Sequence, residues 1–284
     1  MSSTVKIGII GGTGLDDPDI LKNRNEKQVT TQFGDPSGGK IVEGEIEGVP
    51  CVIVSRHGPT HDINPSNVNY RGNIWALKDA GCTHIIATTA TGSLKEEVQP
   101  GDLVVVDDFI DRTQGRKQTF YDGSENGLPG LFHLPMNPPF SQPLREVIMN
   151  TAEELGLKHH KQGTVVSIEG PRFSSKAESK IFQMYGGAVI NMSTVPEVVL
   201  AKEAGLLYSA IALVTDYDCW KDDYQTVSHN VVLQSFQNNV EKLKTLLIAA
   251  VQKVAAKNWD KEIQELQIAL GLKTHRSCKC PPKT

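Results

Sequence analysis

The sequence predicts an α/β fold in a single domain, with a mixed β-sheet covered by helices. Short β-rich runs alternate with helical stretches along the chain of 284 residues, and this alternation is typical of a sheet flanked by helices. The runs 41–46 and 49–55 are joined across Glu47-Gly48, which predicts a hairpin and therefore an antiparallel pair in the sheet. Neither an internal repeat nor a low-complexity linker divides the sequence, so we expect one domain over 1–284.

The individual elements follow from periodicity and from the positions of glycine. The β-branched run at 5–10 predicts a buried first strand. The helices that begin near 67 and 142 should end at Gly81 and Gly156, because glycine favours the backbone conformation that terminates a helix. The predicted strands are 5–10, 41–46, 49–55, 84–90, 103–107, 163–168, 188–191 and 207–215, and the predicted helices are 67–80, 142–155, 175–185, 195–204 and 227–256.

Residues 111–141 form the longest region without periodicity, and they contain four prolines. A loop of this length in a compact domain usually has a function or covers an interface. We expect one of these two roles here.

Composition and charge exclude several classes of protein. Hydrophobic residues make up 39% and charged residues 22% of the chain, as in ordinary globular proteins. The net charge of −4 argues against a nucleic-acid partner. No apolar stretch approaches the roughly 20 residues that cross a bilayer, and the first residues do not resemble a signal peptide. The expected location is the cytoplasm, with the nucleus as the alternative.

The cysteines give no convincing metal site. Cys278 and Cys280 lie near His275, but a fourth ligand at zinc spacing is missing. We therefore expect no metal and no cofactor, and we expect a flexible tail over about 272–284.

Three polar turns that follow predicted strands are suited to an anion. Gly11-Gly12-Thr13-Gly14 offers backbone N–H groups, although its spacing fits neither a dinucleotide fingerprint nor a Walker loop. A tight turn after an edge strand is the alternative for this segment. Arg56-His57 follows strand 49–55 and supplies a cation and an imidazole, and Thr88–Ser93 adds hydroxyls. Ligands in α/β sheets bind beyond the carboxyl ends of strands, so these turns predict one anion site.

Two further turns are suited to a planar ring and a sugar. In Ile168–Ser175, Phe173 lies on a Gly-Pro turn where it could stack on a ring. We expect Ser174 to cap the next helix, and the Ser175–Glu178 spacing predicts a capping box. Asn191–Glu197 supplies Met192 and two hydroxyls near a helix N-terminus, where anions are favoured.

Asp216 and Asp218 end the apolar strand 207–214. If the strand geometry continues, the two carboxyls share one face. Two close carboxylates do not both ionise easily, so one could hold a proton and donate to a ligand nitrogen. Helix capping and solvation are the alternative for an isolated Asp-x-Asp. The five polar turns from Arg56-His57 to Asp216-Asp218 together predict a site for a nucleoside and phosphate.

The same runs closely resemble the purine nucleoside phosphorylase superfamily, in particular its branch that acts on 5′-methylthioadenosine. The similarity covers roughly 5–260, including Asn69–Lys78 besides the turns above. It implies a mixed, twisted sheet and phosphorolysis of 5′-methylthioadenosine to adenine and 5-methylthioribose 1-phosphate, with inorganic phosphate as co-substrate. It also implies a homotrimer in which His133 reaches a neighbouring subunit's site.

Residue roles come from the resemblance, position by position. The implied phosphate-binding residues are Thr13, Arg56, His57, Thr89, Ala90 and Ser193, and the implied nucleoside-binding residues are Ile168, Phe173, Met192, Asp216, Asp218, His133, His229, Val232 and Leu233. Asp216 and Asp218 are the implied catalytic pair. Ser193 stands where the superfamily usually has Thr, and it keeps the hydroxyl.

Substrate preference follows from matches and departures. Ser174 and Asp216 replace the Glu and Asn of the guanine and hypoxanthine enzymes, which favours a 6-aminopurine. His229 lies where the superfamily has an apolar residue, so we expect some activity on adenosine. The alternatives are a phosphorylase of broader or 6-oxopurine specificity, a nucleotide-binding module without catalysis, and a nucleosidase that uses water.

Overall fold

The computed structural model describes residues 4–12, 20–224 and 227–271. These residues form a single α/β domain in which strands and helices alternate. The strands are β1 (Ile7–Gly11), β2 (Lys22–Gln28), β3 (Lys40–Ile46), β4 (Val49–Ser55), β5 (His84–Ser93), β6 (Leu103–Val105), β7 (Asp108–Arg112), β8 (His159–His160), β9 (Thr164–Ile168), β10 (Val189–Asn191) and β11 (Leu207–Asp216). The helices are α1 (Tyr70–Asp79), α2 (Gln142–Glu154), α3 (Lys176–Met184), α4 (Thr194–Glu203), α5 (His229–Ala256) and α6 (Asp260–Ala269).

All the described strands belong to one mixed sheet, organised around β5. The main path runs β2-β3-β4-β1-β5-β10-β9-β7, while β11 pairs with β5 and β6, and β6 also pairs with β8. On one side of β5, β1 pairs in parallel with its first half and β10 pairs antiparallel with its end. On the other side β11 runs parallel to it from Leu207 to Asp216. The predicted hairpin is confirmed, since β3 and β4 are antiparallel.

Helices cover both faces of the sheet. The buried side chains of β11 point alternately towards one helical layer and the other. Tyr208, Ala210 and Val214 join one core cluster together with residues of α1 and α4. Leu207 and Leu213 join a second cluster together with residues of α2 and α5. Successive side chains of a strand point to opposite faces, so a strand that is buried throughout must supply both layers. Within the described ranges, no helix combines the length and the apolar character that a bilayer span requires.

The elements that the sequence did not predict lie at the periphery. All seven residues of β2 are exposed, and none of the residues of α6 is buried, so neither shows the apolar pattern on which prediction depends. The predicted strand 103–107 ends at Val105, and β7 (Asp108–Arg112) includes the first two residues of the aperiodic region 111–141. The alternative of an edge position for the first strand is wrong, because β1 lies between β4 and β5.

Candidate active site

The polar turns at the strand ends line a single cavity of about 260 Å³. This volume is near the lower end of the range of roughly 300–1,000 Å³ that small-molecule sites occupy. The lining includes Gly12 after β1, Arg56 and His57 after β4, Thr89–Gly92 of β5, Met192 and Ser193 after β10, and Asp216 and Asp218 at the end of β11. The fold therefore brings these turns together, as predicted from the sequence.

Arg56 provides a fixed cation in this cavity. Its backbone N–H donates to the Gly11 carbonyl over 3.0 Å, which extends the β1–β4 pairing to the point where the side chain begins. Its Nε and Nη2 donate to the two carboxylate oxygens of Glu197 over 2.5 and 3.0 Å, and Nη1 donates to the Thr88 carbonyl over 2.9 Å. Arg56 is only 1% exposed and Glu197 is fully buried. The sequence analysis assigned no role to Glu197.

His57 is oriented by its own loop. Its Nδ1 is 2.8 Å from the Ile63 carbonyl oxygen, which can only accept, so Nδ1 carries the hydrogen. The ring lies 4.8 Å from that of His61, which also lines the cavity. Two imidazoles therefore line the same cavity as the Arg56 side chain.

Asn191 arranges the hydroxyls of the anion site. Its Nδ2 donates to Thr89 Oγ1 over 3.1 Å and to Thr194 Oγ1 over 2.7 Å. Its Oδ1 accepts from Ser167 Oγ over 2.9 Å. Thr89 Oγ1 and Ser193 Oγ are 3.5 Å apart, so two hydroxyls lie side by side in the cavity wall. The position of Asn191 at a strand end was the available signal. The role of its amide could not be inferred from the sequence, because its partners come from other segments of the chain.

Asp216 is a buried carboxyl to which no cation is bonded among the residues that the structure describes. It is 2% exposed; Thr215 Oγ1 donates to its Oδ2 over 2.8 Å, and the Asp218 N–H donates to its Oδ1 over 2.7 Å. The pKa of Asp216 is raised to about 6, mainly by burial and to a lesser degree by the nearby Asp218 charge, although the two hydrogen bonds act in the opposite direction. A carboxyl with this pKa can hold or release a proton near neutral pH.

Asp218 reaches the cavity by a different route from the one we expected. The strand geometry does not continue, because β11 ends at Asp216 and Asp218 has a φ of 50°. Burial raises the pKa of Asp218 above its ordinary value. Its Oδ2 is buried and has no hydrogen-bond partner within the described part of the chain. The turn thus brings both carboxyls to the cavity with a donor or acceptor position left for a ligand.

The predicted ring-binding residues also line the cavity. Ile168, Phe173 and Met192 contribute apolar surface, and 36% of Phe173 remains exposed. The capping box is confirmed, with Ser175 and Glu178 exchanging bonds of 3.3 and 2.7 Å. The expectation that Ser174 caps this helix is wrong, because the N-cap is Ser175. Ser174 instead lines the cavity.

Arg116 of the long loop holds the segments that carry these residues. It donates to the carbonyls of Met192 and Val195 over 2.6 and 2.7 Å, and to that of Glu169 over 2.6 Å. Its side chain is 2% exposed. A single arginine in an aperiodic stretch gave no signal in the sequence, so this contact was missed.

Not every predicted residue is at the cavity. Ala90, His229 and Val232 line it, whereas the half-buried Leu233 and the exposed His133 do not. Thr13 lies outside the described residues, as do the tail over about 272–284 and its cysteines.

Comparisons with known proteins agree with this arrangement. Residues 6–252 match the model of the phosphorylase superfamily. The S-methyl-5′-thioadenosine phosphorylase of Xenopus tropicalis is 55% identical over 94% of this chain and 95% of its own length. The protein of the same name from Anopheles gambiae is 58% identical over 94% of this chain and 95% of its own length.

Solved structures of a Schistosoma mansoni enzyme are similar throughout. Its methylthioadenosine phosphorylase in complex with adenine has a TM-score of 0.91 at 44% identity, covering 94% of this chain and 98% of that one. A variant of the adenosine/methylthioadenosine phosphorylase from the same organism, in complex with methylthioadenosine, has a TM-score of 0.90 at 44% identity, covering 94% and 97%. The chain therefore belongs to the phosphorylase superfamily, among the S-methyl-5′-thioadenosine phosphorylases.

Proposed function

We propose that the protein catalyses the phosphorolysis of S-methyl-5′-thioadenosine, which yields adenine and 5-methylthioribose 1-phosphate. The observation that carries this proposal is the presence, in one cavity, of a fixed guanidinium with paired hydroxyls and of two buried carboxyls. The first set suits phosphate and the second suits a purine with an exocyclic amine. The names of the relatives and the ligands bound in the Schistosoma structures support the same substrate.

Phosphate is the proposed nucleophile. Arg56, His57, Thr89 and Ser193, together with Thr13 and the backbone at Ala90, hold it beneath the sugar, which supplies proximity. The phosphate oxygen forms a bond to C1′ while the bond from C1′ to the base breaks, by analogy with glycoside cleavage. The anion also stabilises the positive charge that develops on the ribose.

Asp216 is the proposed general acid. As the base leaves, the bonding electrons pass to the purine, and Asp216 supplies the proton at N7. Asp218 accepts from the exocyclic amine and orients the ring, with Ile168 and Phe173 against its faces and Met192 against the ribose. A phosphorylase for 6-oxopurines would have no use for the acceptor that Asp218 presents to the 6-position.

The substrate panel is the direct test. We expect base release from methylthioadenosine and adenosine, but not from inosine, and only when phosphate is present. Release should be fastest from methylthioadenosine. Release without phosphate would identify a nucleosidase, and preference for inosine would contradict the proposed role of Asp216. Ligand binding without any release would identify a binding module.

Asp216→Asn should separate catalysis from stability. Without the acidic proton we expect kcat to fall about 10²–10⁴-fold. Because the pKa of Asp216 is raised in the folded state, its contribution to the free energy of unfolding is fully present below the unfolded pKa near 4. That contribution is lost as the pH rises through the folded pKa of about 6. The variant lacks this loss, so its free energy of unfolding at pH 7.5 should exceed that of the wild type by about 1–3 kcal/mol.

Asp102→Asn is the matched control. The free energy of unfolding of both variants is measured by urea denaturation at pH 4 and 7.5. Asp102 is 3% exposed and does not line the cavity. Burial alone would raise its pKa, but hydrogen bonds from His160, the Gln99 N–H and Lys158 lower it. Its substitution should therefore reduce stability at pH 7.5 and leave kcat unchanged. A near-normal kcat in Asp216→Asn would disprove the assigned role.

His229→Val should sharpen the preference for the 5′-methylthio group. His229 is exposed and lines the cavity near Val232, so its imidazole offers a hydrogen bond to a 5′-hydroxyl. Losing one such bond should lower kcat/KM for adenosine relative to methylthioadenosine about 2–10-fold. Asn230→Ala, one residue along α5 and outside this cavity, is the control. An unchanged ratio in His229→Val would remove the explanation.

We also propose that the protein is a homotrimer in which His133 completes a neighbour's site. Its exposure on the long loop, away from its own cavity, supports this arrangement. His133→Ala and Asp216→Asn should each lose activity as pure oligomers. When the two are dissociated, mixed and reassociated, sites with both native residues should form and activity should return. A mixture that stays as inactive as its components would place His133 outside the neighbouring site.

A further inference from the structure

Glu197 is the only carboxylate that the described structure places on Arg56, and the proposed chemistry gives it no part. It is a fully buried residue in the first turn of α4, near the anion site. Its two oxygens take the Nε and Nη2 hydrogens of Arg56 over 2.5 and 3.0 Å, side by side. Such a two-point contact fixes both the position and the plane of a guanidinium.

The donor inventory of Arg56 shows what this contact leaves available. A guanidinium has five N–H hydrogens. Within the described residues, two are taken by Glu197 and one by the Thr88 carbonyl over 2.9 Å. One hydrogen remains on each terminal nitrogen of a side chain that lines the cavity. At Gly12 an added Cβ would lie 2.7 Å from Nη1, so a glycine is needed for the β1 turn to approach this group.

A third residue fixes Glu197 in turn. The hydroxyl of Tyr208, which is 2% exposed on β11, donates to Glu197 Oε2 over 3.0 Å. Burial raises the pKa of Tyr208 well above its ordinary value, and the Glu197 charge raises it further, so the hydroxyl remains a donor. Hydrogen bonds thereby connect the guanidinium to β5 through Thr88 and to α4 through Glu197, and Glu197 is connected in turn to β11 through Tyr208.

We propose that Glu197 is a positioning residue of the anion site: it holds the Arg56 guanidinium so that its two remaining N–H groups face bound phosphate. This inference rests on the proposed function, which makes phosphate the ligand. Since the carboxylate also cancels the charge of Arg56, the two together present oriented donors and no net charge. Loss of Glu197 should therefore weaken phosphate binding if its role is to orient Arg56, and strengthen phosphate binding if its main effect is to cancel the charge of Arg56.

Glu197→Gln distinguishes the two, because glutamine keeps the shape and removes the charge. If orientation matters, the amide mispairs with the guanidinium and phosphate binding weakens about 10–100-fold, the range expected for losing one hydrogen bond to a charged group. If charge alone matters, the uncovered cation binds phosphate more tightly. The measurement is calorimetric titration with inorganic phosphate, followed by the phosphate KM at saturating methylthioadenosine. The affinity for adenine should change less than twofold.

Glu203→Gln is the matched control on the same helix. Glu203 is 8% exposed and accepts from Thr119 and the Phe120 N–H, away from the cavity. It should leave phosphate affinity within twofold. Tyr208→Phe keeps the ion pair and should weaken phosphate binding about threefold or more, and it decides the question if Glu197→Gln does not fold.

The outcomes separate this inference from the proposed function. Unchanged or tighter phosphate binding in Glu197→Gln, or unchanged binding in Tyr208→Phe when the first variant is unfolded, overturns the positioning role. Wild-type protein that binds phosphate but releases no base contradicts the proposed function and leaves the positioning role standing. Wild-type protein that does not bind phosphate overturns both.

Discussion

The candidate site depends on one constraint, which is that β5 is paired on both sides while its interior carries hydroxyl residues. β1 and β10 share one side and β11 takes the other. A buried hydroxyl without a partner is costly, so each must find one where the strand places it. Thr91 donates to the Leu213 carbonyl over 3.3 Å, and Thr89 accepts from Asn191 over 3.1 Å. The pairing that holds the sheet together therefore also determines where the hydroxyls point.

Arg56 and Asp216, two of the buried ionisable groups of the cavity, avoid the cost of burial in opposite ways. Arg56 keeps its charge because Glu197 neutralises it at two points. Asp216 has no such partner within the described residues, and its pKa rises to about 6 because burial favours the neutral form. A permanently ionised end and an end that exchanges a proton are what a reaction between an anion and a leaving base requires. The difference arises from which element packs behind each group, α4 in one case and β5 with its Gly92 in the other.

Local sequence pattern predicted the parts of the fold that have a buried face, and composition at strand ends predicted most of the cavity. The apolar strand β11, the hairpin at Glu47-Gly48 and the glycine stops at Gly81 and Gly156 all appear where expected. Exposed elements such as β2 and α6 carry no apolar periodicity and were missed. Glu197 and Arg116 were missed for another reason: their contacts join residues 141 and 76 positions apart. For Asp218 the prediction succeeded only in part: its place in the site was predicted, but its left-handed backbone conformation was not.

Arg116 contacts its neighbours through carbonyl oxygens, at Ile168, Glu169, Met192 and Val195. Every amino acid carries that oxygen, so these bonds do not depend on the side chains at Ile168, Met192 and Val195. At Glu169 the carboxylate also pairs with Arg116 Nε over 3.5 Å. Evolution can therefore exchange the apolar groups at 168 and 192 one at a time while the backbone beneath them stays in place. Within this fold, a change of preferred nucleoside requires new side chains and no new architecture.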